Sequence, residues 1–338
     1  MLSGNDGKLV RALDGRALRL IVVASDWCNF RCTYCYEDFH PRNLTPETVA
    51  GIKNLVSARK DSLDSLQVSW FGGEPLIASE SMIEVSEHCS RVAAGRFAYT
   101  GSVTTNASLL TLPLATRLIR SGVKNFHITF DGDSDAHNLV RKDYHGRGSF
   151  DTVWTNVSSL RTLDDLFAVI LRLHLSPSNT ESMKRFCARI ETAFMGDPRF
   201  FAYAKGLKHL GGKNDDRMAV LTDEEERDAI EAIHARLLKS DLLFDAYAAE
   251  DGLCYAGMAN SFVVRWNGDL QKCTVALDSD FNTVGRLRED GRMEIDQAKA
   301  QAWLGWLQQP EEAECPLAGV RKREASKHKA IAIVLAEP

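Results

Sequence analysis

Three cysteines, Cys28, Cys32 and Cys35, crowd into eight residues of the run Trp27-Cys28-Asn29-Phe30-Arg31-Cys32-Thr33-Tyr34-Cys35. Three thiolates at CxxxCxxC spacing on one loop can surround a single cuboidal iron–sulfur cluster and leave one iron without a protein ligand. Four-cysteine clusters are closed electron carriers, whereas a missing ligand keeps a coordination position for a substrate or cofactor, as in open catalytic metal sites. The alternative is three structural cysteines or half of a zinc site. Disulfides are not expected, because Met1 to Val10 lacks a basic segment followed by an apolar core, which makes the cytoplasm the simplest location. Cys254, Cys273 and Cys315 form a second, wider group, while Cys89 and Cys187 stand alone in helical patterns and are expected in the core.

The elements that must position the first cluster follow from periodicity. An apolar β-branched run, Ala17 to Ala24, precedes the cysteine loop, and Pro46 to Lys60 has helical spacing with Thr45 as N-cap. Strands are expected at Leu66 to Phe71, Phe97 to Thr104, Lys124 to Phe130, Leu166 to Leu175 and Phe200 to Lys205. Helices are expected at Ser79 to Ala94, Leu112 to Ser121, Ser149 to Leu163 and Thr180 to Phe194. Strict alternation predicts an α/β fold with a parallel sheet and right-handed crossovers, a partial (β/α)6 barrel of the TIM type over residues 1–215. The alternation fails after Gly206 to Gly212, so a second module is expected over 216–338. It opens with a charged helix from Thr222 to about Lys239 and contains a hairpin, Ser261 to Trp266 and Asp269 to Cys273, around Asn267 and Gly268 with positive φ at both turn positions. A helix is expected at Asp296 to Gln308. The tail, basic from Arg321 to Lys329 and apolar beyond, fits a helix or a strand.

The cysteine run, continued by Tyr36 and Glu37, resembles the signature of the radical S-adenosylmethionine (SAM) enzymes. Further matches fall in order. Phe71-Gly72-Gly73-Glu74-Pro75 follows the second strand, where the family has a GGE segment; glycines there let backbone approach a ligand, and Glu74 offers an acceptor for an ammonium. Thr104-Thr105-Asn106 ends the third strand. Thr129-Phe130-Asp131-Gly132, then His137, Arg141 and Gly146 to Asp151, looks like the fourth-strand region of the peptide- and protein-modifying branch. All lie at C-terminal ends of expected strands, where β/α barrels build their sites. The resemblance implies that Cys28, Cys32 and Cys35 hold a [4Fe-4S] cluster whose fourth iron is chelated by SAM. It further places Tyr34 near the adenine, Gly72, Gly73 and Glu74 at the amino group, Thr105 and Asn106 among the cofactor-binding residues, Asp131 near the ribose and Arg141 on the SAM carboxylate. The activity implied is reductive cleavage of SAM to a 5′-deoxyadenosyl radical that abstracts hydrogen from the substrate.

Thirteen residues separate Cys254 from Gly268 and four separate Gly268 from Cys273, similar to the opening of the SPASM and twitch extensions in this family. The hairpin would carry Cys273 back beside Cys254, and Cys315 supplies a third thiolate, so one auxiliary iron–sulfur cluster is expected. The chain departs from the family's fuller pattern, with Ala318 where a twitch usually has a cysteine. Three readings stay open: the fourth iron is free for substrate or water, His328 ligates it, or the site holds no cluster.

Composition narrows the partners. In 338 residues, 41 basic and 46 acidic side chains give a formal charge of −5 with no long run of either sign, so no nucleic-acid face is expected. No stretch approaches the ~20 apolar residues of a membrane span. The resemblance implies the substrate class: families sharing the Phe71-to-Pro75 segment and the Gly146-to-Asp151 run commonly modify peptides or proteins, so a peptide or protein substrate is expected, matured by a crosslink or another side-chain change. The 27 residues before Cys28 are too few for a recognition domain, so any leader would be read by the barrel, by the second module or by a separate protein. A reductant such as flavodoxin or ferredoxin would supply electrons. Asp215 and Asp216, after the sixth strand, are candidates for a catalytic base, and His174 could face the barrel interior or the core. Alternatives are a twitch-type dehydrogenase of a small molecule, a sulfatase-maturase-like oxidase, or, outside enzymes, an iron–sulfur electron-transfer or metal-binding protein.

Overall fold

The protein, seen as a computed structural model, is described over residues 4–244 and 252–334, with side chains over 7–244 and 252–325. After a short helix α1 (Gly4–Leu13), the chain runs β1 (Ala17–Ser25), α2 (Pro46–Arg59), β2 (Ser65–Gly72), α3 (Ser79–Ala93), β3 (Ala98–Thr105), α4 (Leu112–Ser121) and β4 (Val123–Phe130). Two helices, α5 (Ser134–Val140) and α6 (Phe150–Ser159), then precede β5 (Ala168–Leu175), α7 (Thr180–Phe194) and β6 (Phe200–Gly206). Strands β1 to β6 pair in parallel and in order, as strand–helix alternation requires.

Alternation within the strands sorts their side chains to two faces. In β5, Val169, Leu171, Leu173 and Leu175 are buried against the helices, which turns Arg172 and His174 to the inner face. The outer layer is closed by aromatic packing: Phe130, Phe150, Trp154 and Phe186 meet edge-to-face, tilted or stacked with centroids 4.6–6.2 Å apart. Cys89 and Cys187 are fully buried in α3 and α7, as expected of core thiols.

Beyond β6, helix α8 (Asp223–Lys239) starts from a capping box on Thr222 and Glu225 and packs on β6. It caps the open strand edge: the β6 N–H groups of Ala204 and Gly206 donate to His234 Nε2 (3.1 Å) and Glu226 Oε1 (3.0 Å). An extended peptide adding to this edge would displace those acceptors.

The remaining strands, β7 (Ser261–Val264), β8 (Asp269–Gln271), β9 (Thr283–Leu287) and β10 (Met293–Ile295), continue the same sheet on its other side. β7 runs parallel to β1, with Arg19 to Val22 opposite Ser261 to Val264, and the others follow antiparallel. Helices α9 (Gln297–Ala302) and α10 (Pro316–Val334) complete the chain. One buried apolar cluster holds Leu20, Trp70 and Phe186 together with Phe262, Leu270 and Trp303.

Two sequence expectations are corrected here, and one left open is resolved. At the β7–β8 turn Gly268 has φ +89°, but Asn267 is not left-handed. The loop is longer than a two-residue turn: Arg265 N–H donates to Asp269 O and Gly268 N–H to Arg265 O. The helix expected at Asp296 to Gln308 ends at Ala302 and gives way to a 3₁₀ turn at Gly305–Leu307. The tail, left open between helix and strand, is helical in α10.

Candidate active site

The cysteine loop leaves the C-terminal end of β1 and is held by backbone on two sides. The end of β2 pins its entrance: Gly73 N–H donates to Ser25 O (3.0 Å) and Glu74 N–H to Trp27 O (2.9 Å). Both glycines are needed for that approach. Gly72 has φ +123°, and a Cβ on Gly73 would stand 2.7 Å from the Trp27 carbonyl. The segment after α5 holds the other side, with Arg31 N–H on Lys142 O (2.8 Å) and Thr33 N–H on Val140 O (3.0 Å). That pairing carries Arg141 into the site. Between these clamps the Arg31 guanidinium lies 4.2–4.7 Å from the ring centroids of Trp27, Phe39 and Tyr144.

Cys28, Cys32 and Cys35 line one cavity together with Tyr34, Gly72, Gly73, Thr105, Asn106 and Arg141, so most of the residues named from the sequence do converge. Among the described residues no three His, Cys, Asp or Glu side chains meet as ligands of a single ion would. A cuboidal cluster asks for something different: each thiolate takes a different iron at a separate corner, so the three line a cavity instead of meeting at a point. Cys28 Sγ accepts from Phe30 N–H (3.3 Å) and Asn106 Nδ2 (3.8 Å), the kind of N–H to sulfur bonding that tunes a cluster. Burial pushes all three thiols upward, Cys35 to about 12, so cationic iron is the kind of partner that would hold them as thiolates.

Beside the cysteines lies a buried polar network. Arg141 Nη1 donates to Tyr34 Oη (2.6 Å), and Tyr34 Oη donates to Asp131 Oδ2 (2.8 Å). His174 Nδ1 stands 3.8 Å from Asp131 Oδ1. Burial raises Asp131 to about 6 against the opposing pull of Arg141 and Tyr34, and burial also holds His174 well below its ordinary value, hence neutral. Asp131 Oδ1, Arg141 Nε and His174 Nδ1 have no hydrogen-bond partner. Buried polar atoms are rarely left so. A ligand with hydroxyls and a carboxylate fits that deficit, which is what the ribose and amino-acid ends of SAM offer.

Glu74 sits one layer behind. Fully buried, it accepts from Leu76 N–H (2.9 Å), Thr105 Oγ1 (2.7 Å) and Asn106 N–H (2.8 Å), so its carboxylate fastens the ends of β2 and β3 and does not itself line the cavity. Asp131 likewise lies behind the lining. Asp215 and Asp216 do not reach this cavity: Asp215 Oδ1 accepts from Leu210 and Gly211 N–H (both 3.1 Å) and orders the loop after β6.

The inner face also supplies residues the sequence reading did not single out, chiefly Arg172 and Lys205. Arg172 donates to Thr129 Oγ1 through Nε (3.1 Å) and Nη2 (2.9 Å). Its signal was readable beside His174, since the two interrupt an apolar strand at a spacing of two. A second cavity, lined by Asp26, Glu37, Arg265 and Asp278 among others, adjoins the first, and Tyr36, Glu37 and Leu210 line both. Arg265 pairs with Asp26 at 3.1 Å, and burial raises Glu37 to about 7.

The second cysteine group is also drawn together. Cys254 N–H donates to Ala313 O (2.9 Å), which ties it to the segment carrying Cys315. Tyr255 Oη meets Thr274 Oγ1 (2.8 Å) and Thr274 N–H (3.0 Å), which ties it to the Cys273 loop. Buried Asn282 braces that loop, accepting from Lys272 and Cys273 N–H and donating to Cys273 and Ala276 carbonyls. Val275 N–H points at Cys273 Sγ (3.4 Å), and burial raises the Cys273 thiol, with Cys315 adding a smaller push the same way. The His328 side chain lies outside the described residues.

The Radical SAM superfamily profile matches residues 22–190, half of the chain, so this chain belongs to the radical SAM superfamily. The family implies a [4Fe-4S] cluster used with SAM. Among curated relatives, the GTP 3',8-cyclase of Rhizobium meliloti is 32% identical over 123 residues, 35% of this chain and 34% of that protein, and the GTP 3',8-cyclase of Sinorhizobium medicae aligns equally well. The alignment therefore spans about a third of those relatives. Among solved structures, anSMEcpe with bound AdoMet superposes with a TM-score of 0.65 at 17% identity, covering 85% of this chain and 84% of that one. SuiB of Streptococcus suis bound to S-adenosylmethionine gives 0.64 at 14% identity, covering 89% and 70%. Both likenesses establish the fold. No described helix is long and apolar enough to cross a membrane.

Proposed function

We propose that this radical SAM enzyme modifies a peptide or protein substrate, as a maturase of ribosomally made peptides that forms a crosslink or another side-chain change. The observation that carries this reading is the pair of adjoining cavities: the second runs between the barrel loops and the loop after β8, where an extended chain can lie while presenting one residue to the first. In support, anSMEcpe has been solved with a Cp18Cys peptide and SuiB with its precursor peptide SuiA.

In this reading Cys28, Cys32 and Cys35 hold the cluster, Arg141 pairs with the SAM carboxylate and Tyr34 faces the adenine, while Asp131, behind the lining, holds Tyr34 and Arg141 in place for the ribose end. Gly72 and Gly73 offer backbone to the amino group. Glu74 fixes the lining through Thr105 and Asn106, and Asp215 orders the loop after β6. When bound, the cluster and SAM supply a one-electron cleavage whose carbon radical can take hydrogen from an unactivated carbon. The protein orients the reacting carbon and keeps water out, since the apolar walls Phe30, Phe39 and Phe71 border the cysteines. Cys254, Cys273 and Cys315 are proposed to hold one auxiliary cluster.

A second reading, a small anionic substrate, is favoured by Arg172, whose cavity-lining guanidinium has a hydroxyl partner and, among the described residues, no carboxylate within ion-pair distance. The sequence relatives that act on GTP point the same way. Mass spectrometry separates the two. Peptides encoded beside the gene, incubated anaerobically with reconstituted enzyme, SAM and dithionite, are expected to lose a pair of hydrogen atoms or to take up solvent deuterium. Unchanged peptides together with turnover of a small anion would replace the first reading by the second.

A further inference from the structure

Lys272 is 2% exposed and directly precedes Cys273. Its ammonium donates to the carbonyls of Met258 (2.5 Å) and Ser261 (2.7 Å) and lies 4.9 Å from the Phe262 ring centroid. No carboxylate among the described residues reaches it: every ion pair to a buried cation in this part of the fold belongs to Arg265. Carbonyl dipoles and a ring face offset only part of a buried positive charge, which ordinarily requires a counter-ion. Lys272 directly precedes Cys273, and the Met258 and Ser261 carbonyls that hold its ammonium belong to the segment that Cys254 opens. Cys254 is itself tied to the segments of Cys273 and Cys315.

A cubane core carries fewer positive charges than its thiolates carry negative ones, so a cluster on these cysteines is a net anion and becomes more negative on reduction. We propose that Lys272 is the built-in counter-ion of a cluster on Cys254, Cys273 and Cys315, a positioning residue that favours its reduced state and so makes this module an electron-accepting site. The proposal rests on the reading that these cysteines hold a cluster. It explains why a lysine with two backbone acceptors and an aromatic floor is buried where a hydrophobic side chain would pack more simply. Lys272 touches neither SAM nor substrate; it acts through the cluster's potential.

The test uses the full chain with Cys28, Cys32 and Cys35 all replaced by Ala, so that any remaining iron belongs to the second site. After anaerobic reconstitution this parent is expected to keep iron that a further Cys273→Ala substitution removes. Redox titration followed by electron paramagnetic resonance then compares Lys272→Met and Lys272→Arg. Lys272→Met is expected to lower the ratio of reduced to oxidised cluster at the parent's midpoint by about tenfold, while Lys272→Arg, which keeps the charge, stays near the parent. Should Lys272→Met not fold, Lys272→Gln against Lys272→Arg reads the same contrast. A midpoint unmoved by loss of the charge, or moved equally by both substitutions, overturns the counter-ion proposal and leaves the cluster standing. Absence of iron in the parent overturns the auxiliary cluster and the proposal together.

Discussion

The half-buried Tyr34 phenol bridges a buried guanidinium and a buried carboxylate, and these neighbours, Arg141 and Asp131, each keep one polar atom unpaired. Removing the bridge leaves two buried charges short of a partner. Tyr34→Phe is therefore expected to weaken SAM binding by about 1.5–3 kcal/mol, the range for hydrogen bonds to charged groups, as equilibrium dialysis of reconstituted protein would measure; unaltered affinity would place the phenol outside the SAM site. Asp131 yields a pH prediction. Its carboxyl titrates near 6 in the fold against an ordinary 3.8. The folded protein therefore keeps a proton that the unfolded chain has lost, and stability falls as pH rises through that window. Relative to the parent, Asp131→Asn is expected to gain on the order of 2–3 kcal/mol between pH 4 and 7. Thermal melts of iron-free protein across that range report it, and a pH-independent gap would refute it.

At the scale of elements, the site depends on how strand ends hold the cysteine loop. Gly73 lies against the Trp27 carbonyl, and a methyl there has only backbone to push against. Gly73→Ala is expected to lower iron incorporation severalfold while leaving helix content intact, readable from iron per chain and far-ultraviolet circular dichroism. Full iron loading would show that the loop tolerates displacement. The glycines also mark how far the sequence was legible. The six parallel strands and the cysteine loop follow from periodicity and spacing, whereas the convergence of Thr105, Asn106 and Arg141 was legible only through the family resemblance. Elements whose reason is tertiary did not show. β9 and β10 are five and three residues long, too short for a pattern, and exist because β8 offers an edge. α5 is a seven-residue helix capped by Asp133 inside what reads as a loop. Glu74 looked like a ligand because its type suits an ammonium, yet three donors from neighbouring chain segments claim its carboxylate.

On the scale of the molecule, the C-terminal module is not hung from the barrel by a linker. β7 completes β1 along Arg19 to Val22, and the apolar cluster runs without a break from one part to the other. Heating iron-free protein is therefore expected to give one transition by calorimetry, with calorimetric and van't Hoff enthalpies equal; two resolved transitions would mean that barrel and module fold separately. The same continuity places Cys273, just after β8, on the sheet whose β1 leads into the first cysteine group. The central claim, that three cysteines at the mouth of this barrel hold a cluster on which SAM is cleaved, has a direct measurement: 5′-deoxyadenosine formed by anaerobically reconstituted, dithionite-reduced protein with candidate substrate present. The parent is expected to form it, and Cys28→Ala, Cys32→Ala and Cys35→Ala each to form none. Formation at the parent's rate by any of the three variants would contradict the account.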